Sequence, residues 1–268
     1  MNLKEFFSTQ LQDNKDISRD LAWYIIELTH HEPIEWDTVT VTPKLRAELK
    51  RGISRLKKGE PLGYILGNVP FWDCNIMVGP DVLIPRAETE QLCELVVRSV
   101  GDKRVRVLDL CTGSGCIAIA LAKKLNAEVL ATDISEASVA IARKNALNNL
   151  TSVNFVVGDM FEKVGGKFDV IVSNPPYISA KEYTALPKSV VKFEPQLALM
   201  GGEDGLDFYR IIASQARKYL NPKGAIFLEV GDTQAENVVA LFKDFDCEIV
   251  EDYFGFNRFV IARSRDDR

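Results

Sequence analysis

The sequence predicts an α/β protein: a small N-terminal helical domain followed by a seven-stranded, mostly parallel sheet with a C-terminal antiparallel hairpin. Two observations predict this architecture. Residues 1–60 show helical periodicity, whereas from about residue 90 short apolar runs alternate with helical patterns. The length of 268 residues also suits two domains of ~150 residues each. We therefore expect a helical domain over residues 1–70, a connector over 71–90 and a larger domain over 91–268.

Three amphipathic helices are predicted before the connector. The first carries an apolar stripe over residues 3–11, and a second stripe over 17–28 begins near a Ser18 cap. Thr42-Pro43 is typical of an N-cap followed by proline in the first turn, which predicts a third helix to about Lys57.

The positions of the histidines and cysteines argue against histidine-based catalysis and against a metal site. His30 and His31 are the only histidines, and they lie together at the end of the second predicted helix, which we expect them to terminate. Histidine-based acid–base catalysis is therefore not expected. The five cysteines are scattered and odd in number, with no histidine at zinc-ligand spacing, so we expect reduced thiols and no metal site.

Glycine and proline interrupt residues 59–90 and separate short extended runs such as 75–78 and 82–84. This pattern predicts a connector that contains a short hairpin. No nucleotide-binding signature occurs in the helical residues before it.

Five apolar runs after the connector are predicted to be parallel strands, because helical patterns separate them and strands covered on both faces are almost continuously apolar. They are residues 105–110, 129–132, 153–157, 168–172 and 225–230. A helix is predicted near 235–242. The last two runs, 247–253 and 258–262, are joined by a gap too short for a crossover helix and should form an antiparallel hairpin.

Charge and hydropathy limit the possible partners. The formal net charge of −5 argues against a nucleic-acid binder with a generic basic face. No uninterrupted apolar run of about 18 residues is present, and residues 1–7 lack the basic and apolar regions of a signal peptide. We expect a cytoplasmic, monomeric protein that binds neither membranes nor nucleic acid directly.

The first candidate site follows the first predicted strand of the sheet, where a glycine turn opens a helix. The turn comprises Cys111, Thr112, Gly113, Ser114 and Gly115. Backbone amides and a helix N-terminus can face a ligand there, and glycine lets that ligand come close. Asp133, at the end of the second strand, is placed to accept hydrogen bonds from ribose hydroxyls. The pattern leaves both a nicotinamide dinucleotide and S-adenosylmethionine open.

Asp109 favours one of these two ligands. A carboxylate just before the glycine turn is unfavourable beside a pyrophosphate but favourable beside a sulfonium and an α-amino group, which favours S-adenosyl-L-methionine. Asp159 and Met160, after the third strand, then fit adenine: Asp159 accepts from its amino group and Met160 covers its face.

The second candidate site is Asn174-Pro175-Pro176-Tyr177, after the strand at 168–172. Ligands of open α/β sheets bind beyond the carboxyl ends of the strands, so we expect it in the same crevice as the glycine turn. The prolines remove two backbone donors and restrict the residues before them to extended conformations. The Asn174 side-chain oxygen and the Pro175 carbonyl are therefore predicted acceptors for a planar NH2 group, with Tyr177 covering its flat face.

This arrangement suits methyl transfer to an amide or arylamine nitrogen. The lone pair of such a nitrogen is delocalised, as the amide rotation barrier of ~18–20 kcal/mol shows. Two acceptors on the N–H bonds return electron density to the nitrogen and aim it at a methyl group. Water can take the proton afterwards, so no strong general base is required.

With these residues, the sequence resembles the class I S-adenosylmethionine-dependent methyltransferases, whose fold is Rossmann-like, and more narrowly the release factor glutamine methyltransferases. Residues 58–67 are similar to that family's G-x-P-x-x-Y-I-L-G segment, residues 83–90 to its L-I-P-R-P-E-T-E segment, and residues 193–206 also follow it. Ala87 and Cys111 depart from the family, standing where it usually has proline and the first glycine of the loop.

The resemblance implies methylation of the amide nitrogen (N5) of the glutamine in the Gly-Gly-Gln motif of class I peptide chain release factors, with S-adenosyl-L-homocysteine as product. Residues 1–70 would dock the substrate and 91–268 would bind the cofactor. The resemblance carries over Cys111 to Gly115, Asp133, Met160 and Asn174 as cofactor contacts, and Asn174 to Tyr177 as the glutamine clamp. Arg86 and Glu88 would shape the entrance, and Cys111 would be an apolar wall.

Other functions stay open at this level. Asn-Pro-Pro-Tyr also fits adenine N6 and guanine N2 methyltransferases, although the acidic chain lacks the basic face of an enzyme that flips a base. A glutamine of a ribosomal protein is another acceptor to consider. The glycine pattern permits a nicotinamide-dependent dehydrogenase, but no acid–base pair is evident, and a non-catalytic binding module would not need both clamp acceptors.

Overall fold

The N-terminal helices pack around a small apolar core of their own. The computed structural model describes residues 1–11 and 15–265. Its first helices are α1 (Leu3–Leu11), α2 (Ser18–Thr29), α3 (Pro43–Leu56) and α4 (Leu62–Leu66). Leu21, Ile25 and Leu49 are completely buried between them. The three predicted helices are confirmed, and α4 is an additional one.

The residues at the ends of these helices can be compared with the predicted caps. Thr42 caps α3 as predicted, because its hydroxyl accepts a hydrogen bond from the backbone amide three residues later. The predicted Ser18 cap is wrong: Ile17 precedes α2 and gives no side-chain cap. A 3₁₀ turn over Lys15–Ile17 leads the chain into that helix instead. His30 ends α2 as expected, in the left-handed conformation with φ of 57°.

The predicted short hairpin is present, but it begins at Asn68, within the residues 1–70 that we expected to belong to the helical domain. Strand β1 (Asn68–Phe71) pairs antiparallel with β2 (Cys74–Met77), whereas residues 82–84 form no strand. Strand β1 was not predicted because it contains Pro70, which a two-stranded hairpin tolerates since each strand has a free edge. Helix α5 (Ala87–Val100) begins before residue 91, the start that we expected for the large domain.

Seven strands of the described residues form the central sheet, in the order β5-β4-β3-β6-β7-β9-β8. They are β3 (Val105–Leu110), β4 (Ala127–Asp133), β5 (Asn154–Val157), β6 (Phe168–Ser173), β7 (Leu220–Glu229), β8 (Phe245–Glu251) and β9 (Asn257–Ser264). The pairs from β5 to β7 are parallel, and β9 pairs antiparallel with both β7 and β8. The predicted parallel sheet with its terminal hairpin is confirmed.

Helices cover both faces of this sheet. The remaining helices are α6 (Cys116–Lys124), α7 (Glu136–Asn148), α8 (Ala180–Ala185), α9 (Lys188–Phe193), α10 (Asp207–Tyr219) and α11 (Ala235–Leu241). Side chains alternate along each strand, so Val107 packs with α5, α6 and α7, whereas Leu108 packs with α10 and α11 on the other face. Among the described helices, none has the length and apolar character needed to cross a membrane.

The strand order determines where a ligand can bind. The chain leaves β3 towards β4 on one side, and later returns to place β6 against the other side of β3. The loops after β3 and β6 therefore diverge at the carboxyl edge of the sheet and leave a crevice between them. Both sequence motifs follow these two strands.

Gly52 of α3 determines how closely α2 and α3 approach. A Cβ atom at this position would overlap the ring of Tyr24, whose hydroxyl donates a hydrogen bond to the Glu48 carbonyl at 3.1 Å. We expect Gly52→Ala to lower the free energy of unfolding by ~1–3 kcal/mol, because overpacking outweighs the better helix propensity of alanine. Urea unfolding measures the change, with the exposed Lys50→Ala in the same helix as control. Equal stability of the two variants would contradict the packing argument.

Candidate active site

A cavity of about 500 Å³ opens at the carboxyl edge of the sheet. This volume lies within the range of ~300–1,000 Å³ that is usual for small-molecule sites. Nine of the predicted site residues line it: Cys111, Thr112, Gly113, Ser114, Asp133, Asp159, Met160, Asn174 and Pro176. The structure therefore brings the glycine turn and the start of Asn-Pro-Pro-Tyr to one cavity.

Four other predicted site residues do not line this cavity: Asp109, Gly115, Pro175 and Tyr177. Gly115 begins α6, where an added Cβ would lie 2.9 Å from the Cβ of Ala142, so glycine is needed for packing. Tyr177 packs against the apolar cluster that contains α10, and its carbonyl accepts a hydrogen bond from Gln234 Nε2 at 2.8 Å. Their direct roles in binding stay predictions.

The glycine turn is open towards the cavity. Gly113 has a φ of 54°, and an added Cβ there would meet no atom within 4 Å. Its amide donates to Asp133 Oδ2 at 2.8 Å, and the Ser135 amide donates to Oδ1 at 2.9 Å. The carboxylate of Asp133 is therefore held by the backbone at the cavity wall, and each oxygen keeps a further lone pair for a ligand.

Asp109 lies beneath the turn and is completely buried. Thr112 Oγ1 donates to its Oδ2 atom at 2.5 Å, but within the described residues Oδ1 has no hydrogen-bond partner. Burial raises the pKa of Asp109 to about 7. The predicted contact of this carboxylate with the cofactor stays a prediction, although its orphaned oxygen is the kind of atom that a bound donor would satisfy.

Cys111 occupies the left-handed region with φ of 59°, a conformation in which a side chain is strained. Its Sγ atom lies 3.5 Å from Sδ of Met160, across the cavity wall. Burial raises the pKa of the thiol well above its ordinary value, so the group is uncharged at neutral pH. These properties fit the expected apolar wall.

Asn174 has its amide nitrogen turned away from the solvent side of the site. Its Nδ2 atom donates to Thr89 Oγ1 at 3.1 Å, and that hydroxyl donates to Glu229 Oε2 at 2.8 Å. Within residues 1–11 and 15–265, no group donates a hydrogen bond to Asn174 Oδ1 or to the Pro175 carbonyl. Neither acceptor is therefore occupied by another group of the described residues, but only Asn174 lines the cavity, so the contact of the Pro175 carbonyl with a ligand stays a prediction.

Thr89 and Glu229 were not recognised from the sequence as site residues. Both are 2% exposed, and Thr89 also lines the cavity. The sequence carried one sign of Glu229: it is the single carboxylate within the apolar run 225–230, and buried charges need partners. Sequence reasoning also missed the apolar wall from α10, formed by Phe208 and Ile211, and the connector residues Leu83 and Pro85.

Arg86 ties the connector to the segment that covers the cavity. Its Nη2 atom donates to both carboxylate oxygens of Glu194, at 2.7 and 2.6 Å. The residues that follow this glutamate line the cavity, namely Pro195, Leu197 and Ala198. Glu88 is only partly buried in the first turn of α5, where a negative charge is favourable.

Comparison with known proteins identifies the family. The chain is 44% identical over 237 residues to a protein of Thermodesulfovibrio yellowstonii named release factor glutamine methyltransferase, covering 84% of this chain and 85% of that relative. The chain belongs to the release factor glutamine methyltransferase family. A relative of the same name from Geobacter sulfurreducens is 42% identical, covering 83% of this chain and 80% of its own length. The family resemblance seen in the motifs is confirmed.

Two further comparisons concern the enzyme's fold. The family model described as Methyltransferase small domain matches residues 87–201. The crystal structure of a methyltransferase from Pyrococcus furiosus, 20% identical, aligns with a TM-score of 0.55 and covers 83% of this chain and 98% of its own. The predicted class I methyltransferase fold is confirmed.

The strain at Cys111 can be measured with two variants of this methyltransferase. We expect Cys111→Gly to be more stable than Cys111→Ala by ~1 kcal/mol, because both lose the thiol but only alanine keeps a Cβ in the left-handed region. Thermal unfolding of the two variants gives the difference. The opposite order of stability would show that the turn is not strained.

The contact between Arg86 and Glu194 should contribute more than a surface ion pair. Arg86→Ala leaves a carboxylate whose side chain is 3% exposed without its cation. We expect a loss of ~1–3 kcal/mol, less than for a fully buried pair because Arg86 itself is 41% exposed. Urea unfolding measures it. Arg210→Ala, which breaks contacts with the exposed Asp204 and Asp207, is the control and should cost under ~1 kcal/mol.

Proposed function

We propose that this enzyme transfers a methyl group from S-adenosyl-L-methionine to the side-chain amide nitrogen (N5) of the glutamine in the Gly-Gly-Gln motif of class I peptide chain release factors. The observation that carries the proposal is Asn174, which lines the cavity: its Nδ2 atom donates to Thr89, and its Oδ1 atom accepts no hydrogen bond from the described residues. The relatives named release factor glutamine methyltransferase support the choice of acceptor.

The cavity residues fit S-adenosyl-L-methionine. Asp133 would accept hydrogen bonds from the ribose hydroxyls, because its oxygens are already oriented by two backbone amides. The open backbone at Gly113 would lie against the cofactor, and Asp159 and Met160 would contact adenine. When bound, the cofactor supplies a methyl group on a positively charged sulfur and becomes neutral S-adenosyl-L-homocysteine.

The residues after β6 would hold the glutamine. Its NH2 group would donate one hydrogen to Asn174 Oδ1 and the other to the Pro175 carbonyl, while Tyr177 would limit the position of its flat face. Such acceptors oppose delocalisation of the nitrogen lone pair and fix its direction. Holding two reactants in attack geometry lowers a reaction barrier by up to ~7–11 kcal/mol.

No protein base is needed at the reacting nitrogen. Once its bond to the methyl carbon forms, the nitrogen is cationic and loses one of its two protons, which water can take. Glu229 is separated from the acceptor by Asn174 and Thr89 and keeps its carboxylate in the core. Its place behind the clamp indicates a role other than proton removal.

The proposal extends to how the substrate approaches. The N-terminal helices and the connector would dock the release factor, since connector residues reach the cavity wall at Leu83 and Pro85. The enzyme would act in the cytoplasm as a monomer. It would recognise protein, and the net charge of −5 agrees with a partner other than nucleic acid.

Transfer of labelled methyl to purified class I release factor tests the proposed function. We expect wild-type enzyme to label the factor, and a Gln→Ala change in the Gly-Gly-Gln motif to abolish labelling. Asn174→Ala should reduce kcat by roughly 10²–10³, as for the loss of one preorganised polar contact to a transition state. Asn154→Ala, at the start of β5 and exposed, is the control. Labelling of ribosomal protein or nucleic acid in place of the release factor would overturn the assignment.

A further inference from the structure

The two ends of the Asn174 side-chain amide are nearly the same size, but one accepts and the other donates hydrogen bonds. A rotation of the amide by half a turn would present NH2 to the cavity in place of the oxygen. Packing alone cannot discriminate these orientations, because the shape hardly changes. A clamp that depends on the oxygen therefore needs a second group that recognises the nitrogen.

Thr89 and Glu229 provide that recognition. Thr89 lies in the first turn of α5, and Glu229 is the last residue of β7. A threonine hydroxyl has a single proton, and here it is donated to Glu229 Oε2 at 2.8 Å. Thr89 can then only accept from Asn174, which it does from Nδ2 at 3.1 Å.

We propose that Thr89 and Glu229 are positioning residues that set the orientation of the Asn174 amide, so that its oxygen faces the substrate. The inference rests on the proposed function, in which that oxygen holds the glutamine NH2. The hydrogen bonds along the three side chains all point in one direction. The Glu229 carboxylate accepts the Thr89 proton, so the hydroxyl can only accept from Asn174, and the amide nitrogen faces it. Hydrogen bonds aligned in this way also polarise one another and strengthen the terminal acceptor.

The direction of these hydrogen bonds depends on whether the Glu229 carboxyl is ionised. A protonated carboxyl can itself donate to Thr89, and the hydroxyl is then free to donate to Asn174 Oδ1 in the reversed orientation. Burial raises the pKa of Glu229 to about 7, and the charge of Glu88 acts in the same direction. Hydrogen bonding from Thr89, the charge of Arg258 and hydrogen bonding from the Asn174 side chain lower it, so the amide nitrogen of Asn174 also interacts with the carboxylate directly. The other titratable groups whose charge couples to Glu229 are Cys93, Cys116, Tyr177 and Tyr209.

The ionisation of Glu229 predicts the direction in which kcat changes with pH. Above about pH 7 the carboxylate is ionised and the oxygen of Asn174 faces the cavity; below it the constraint is lost. We expect kcat of the wild-type enzyme to fall as pH decreases through about 7. Glu229→Gln, which has the same shape but does not ionise and can donate to Thr89, should give a low kcat without that transition.

The kinetic test uses variants that preserve shape. Thr89→Val removes the hydroxyl and should reduce kcat on release factor by ~10-fold or more, while Thr89→Ser should retain most activity. Thr151→Val is the matched control: it makes the same substitution at a partly buried hydroxyl that donates to the backbone carbonyl of Ala146 at 3.3 Å, outside the relay, and should leave kcat near that of wild type.

A double-variant cycle separates positioning from general damage. In an Asn174→Ala background there is no amide to orient, so adding Thr89→Val should cause no further loss of kcat. An independent second loss would overturn the inference, as would wild-type kcat in Thr89→Val. If Glu229→Gln fails to fold, the threonine variants test the same orientation, because they break the relay at its centre.

A measurement without substrate keeps this inference distinct from the proposed function. The side-chain NH2 signal of Asn174 in an ¹⁵N NMR spectrum is assigned by its loss in Asn174→Ala. We expect slow hydrogen exchange of this group in wild type, faster exchange in Thr89→Val, and a shift with pH near 7 that Glu229→Gln removes. If the release factor is not methylated but the NMR signals show the expected exchange and pH shift, the proposed function is wrong and the inferred orientation of the Asn174 amide is supported. Exchange that is the same in wild type and Thr89→Val overturns the orientation, whatever the enzyme methylates.

Discussion

A carboxylate that is buried in protein must receive hydrogen bonds, because it has given up those of water. Glu229, at the end of β7, is such a carboxylate, and the hydroxyl of Thr89 in α5 donates a hydrogen bond to it. Because the Thr89 hydroxyl gives its proton to Glu229, it accepts a hydrogen bond from Asn174 Nδ2, and in the proposed reaction the oxygen of Asn174 binds the substrate. A group placed in the core thus determines the hydrogen-bonding character of a surface that faces the cavity.

The fold allows this because three elements meet at one edge of the sheet. β6 lies between β3 and β7, so the loop that carries Asn174 has the glycine turn on one side and Glu229 on the other. The cofactor side is built from backbone amides that orient Asp133, and the acceptor side from side chains that orient one amide. The segment after Glu194, held by Arg86, closes the cavity from a third direction.

Local patterns in the sequence were sufficient for the sheet and for much of the cavity. Apolar runs predicted the strands, and the residues that follow β3 and β6 were placed together because the carboxyl ends of parallel strands share an edge. Contacts between distant residues were not predictable in this way: Thr89 and Glu229 are separated by 140 positions, and no periodicity links a threonine in a helix to a glutamate in a strand. β1 was missed because Pro70 usually indicates a loop, and the complete burial of Asp109, with Thr112 as its donor, was not predicted because it depends on the packing around β3.

The order of the elements along the chain has a consequence for synthesis on the ribosome. The glycine turn and Asn174 both emerge before β7, and α10, which adds Phe208 and Ile211 to the cavity wall, emerges between them and β7. A nascent chain that ends at Tyr177 contains both recognisable motifs but lacks the carboxylate behind them. The loop that carries Asn174 is therefore synthesised before the glutamate proposed to orient it, and β7 can pair with β6 only after α10 has been made.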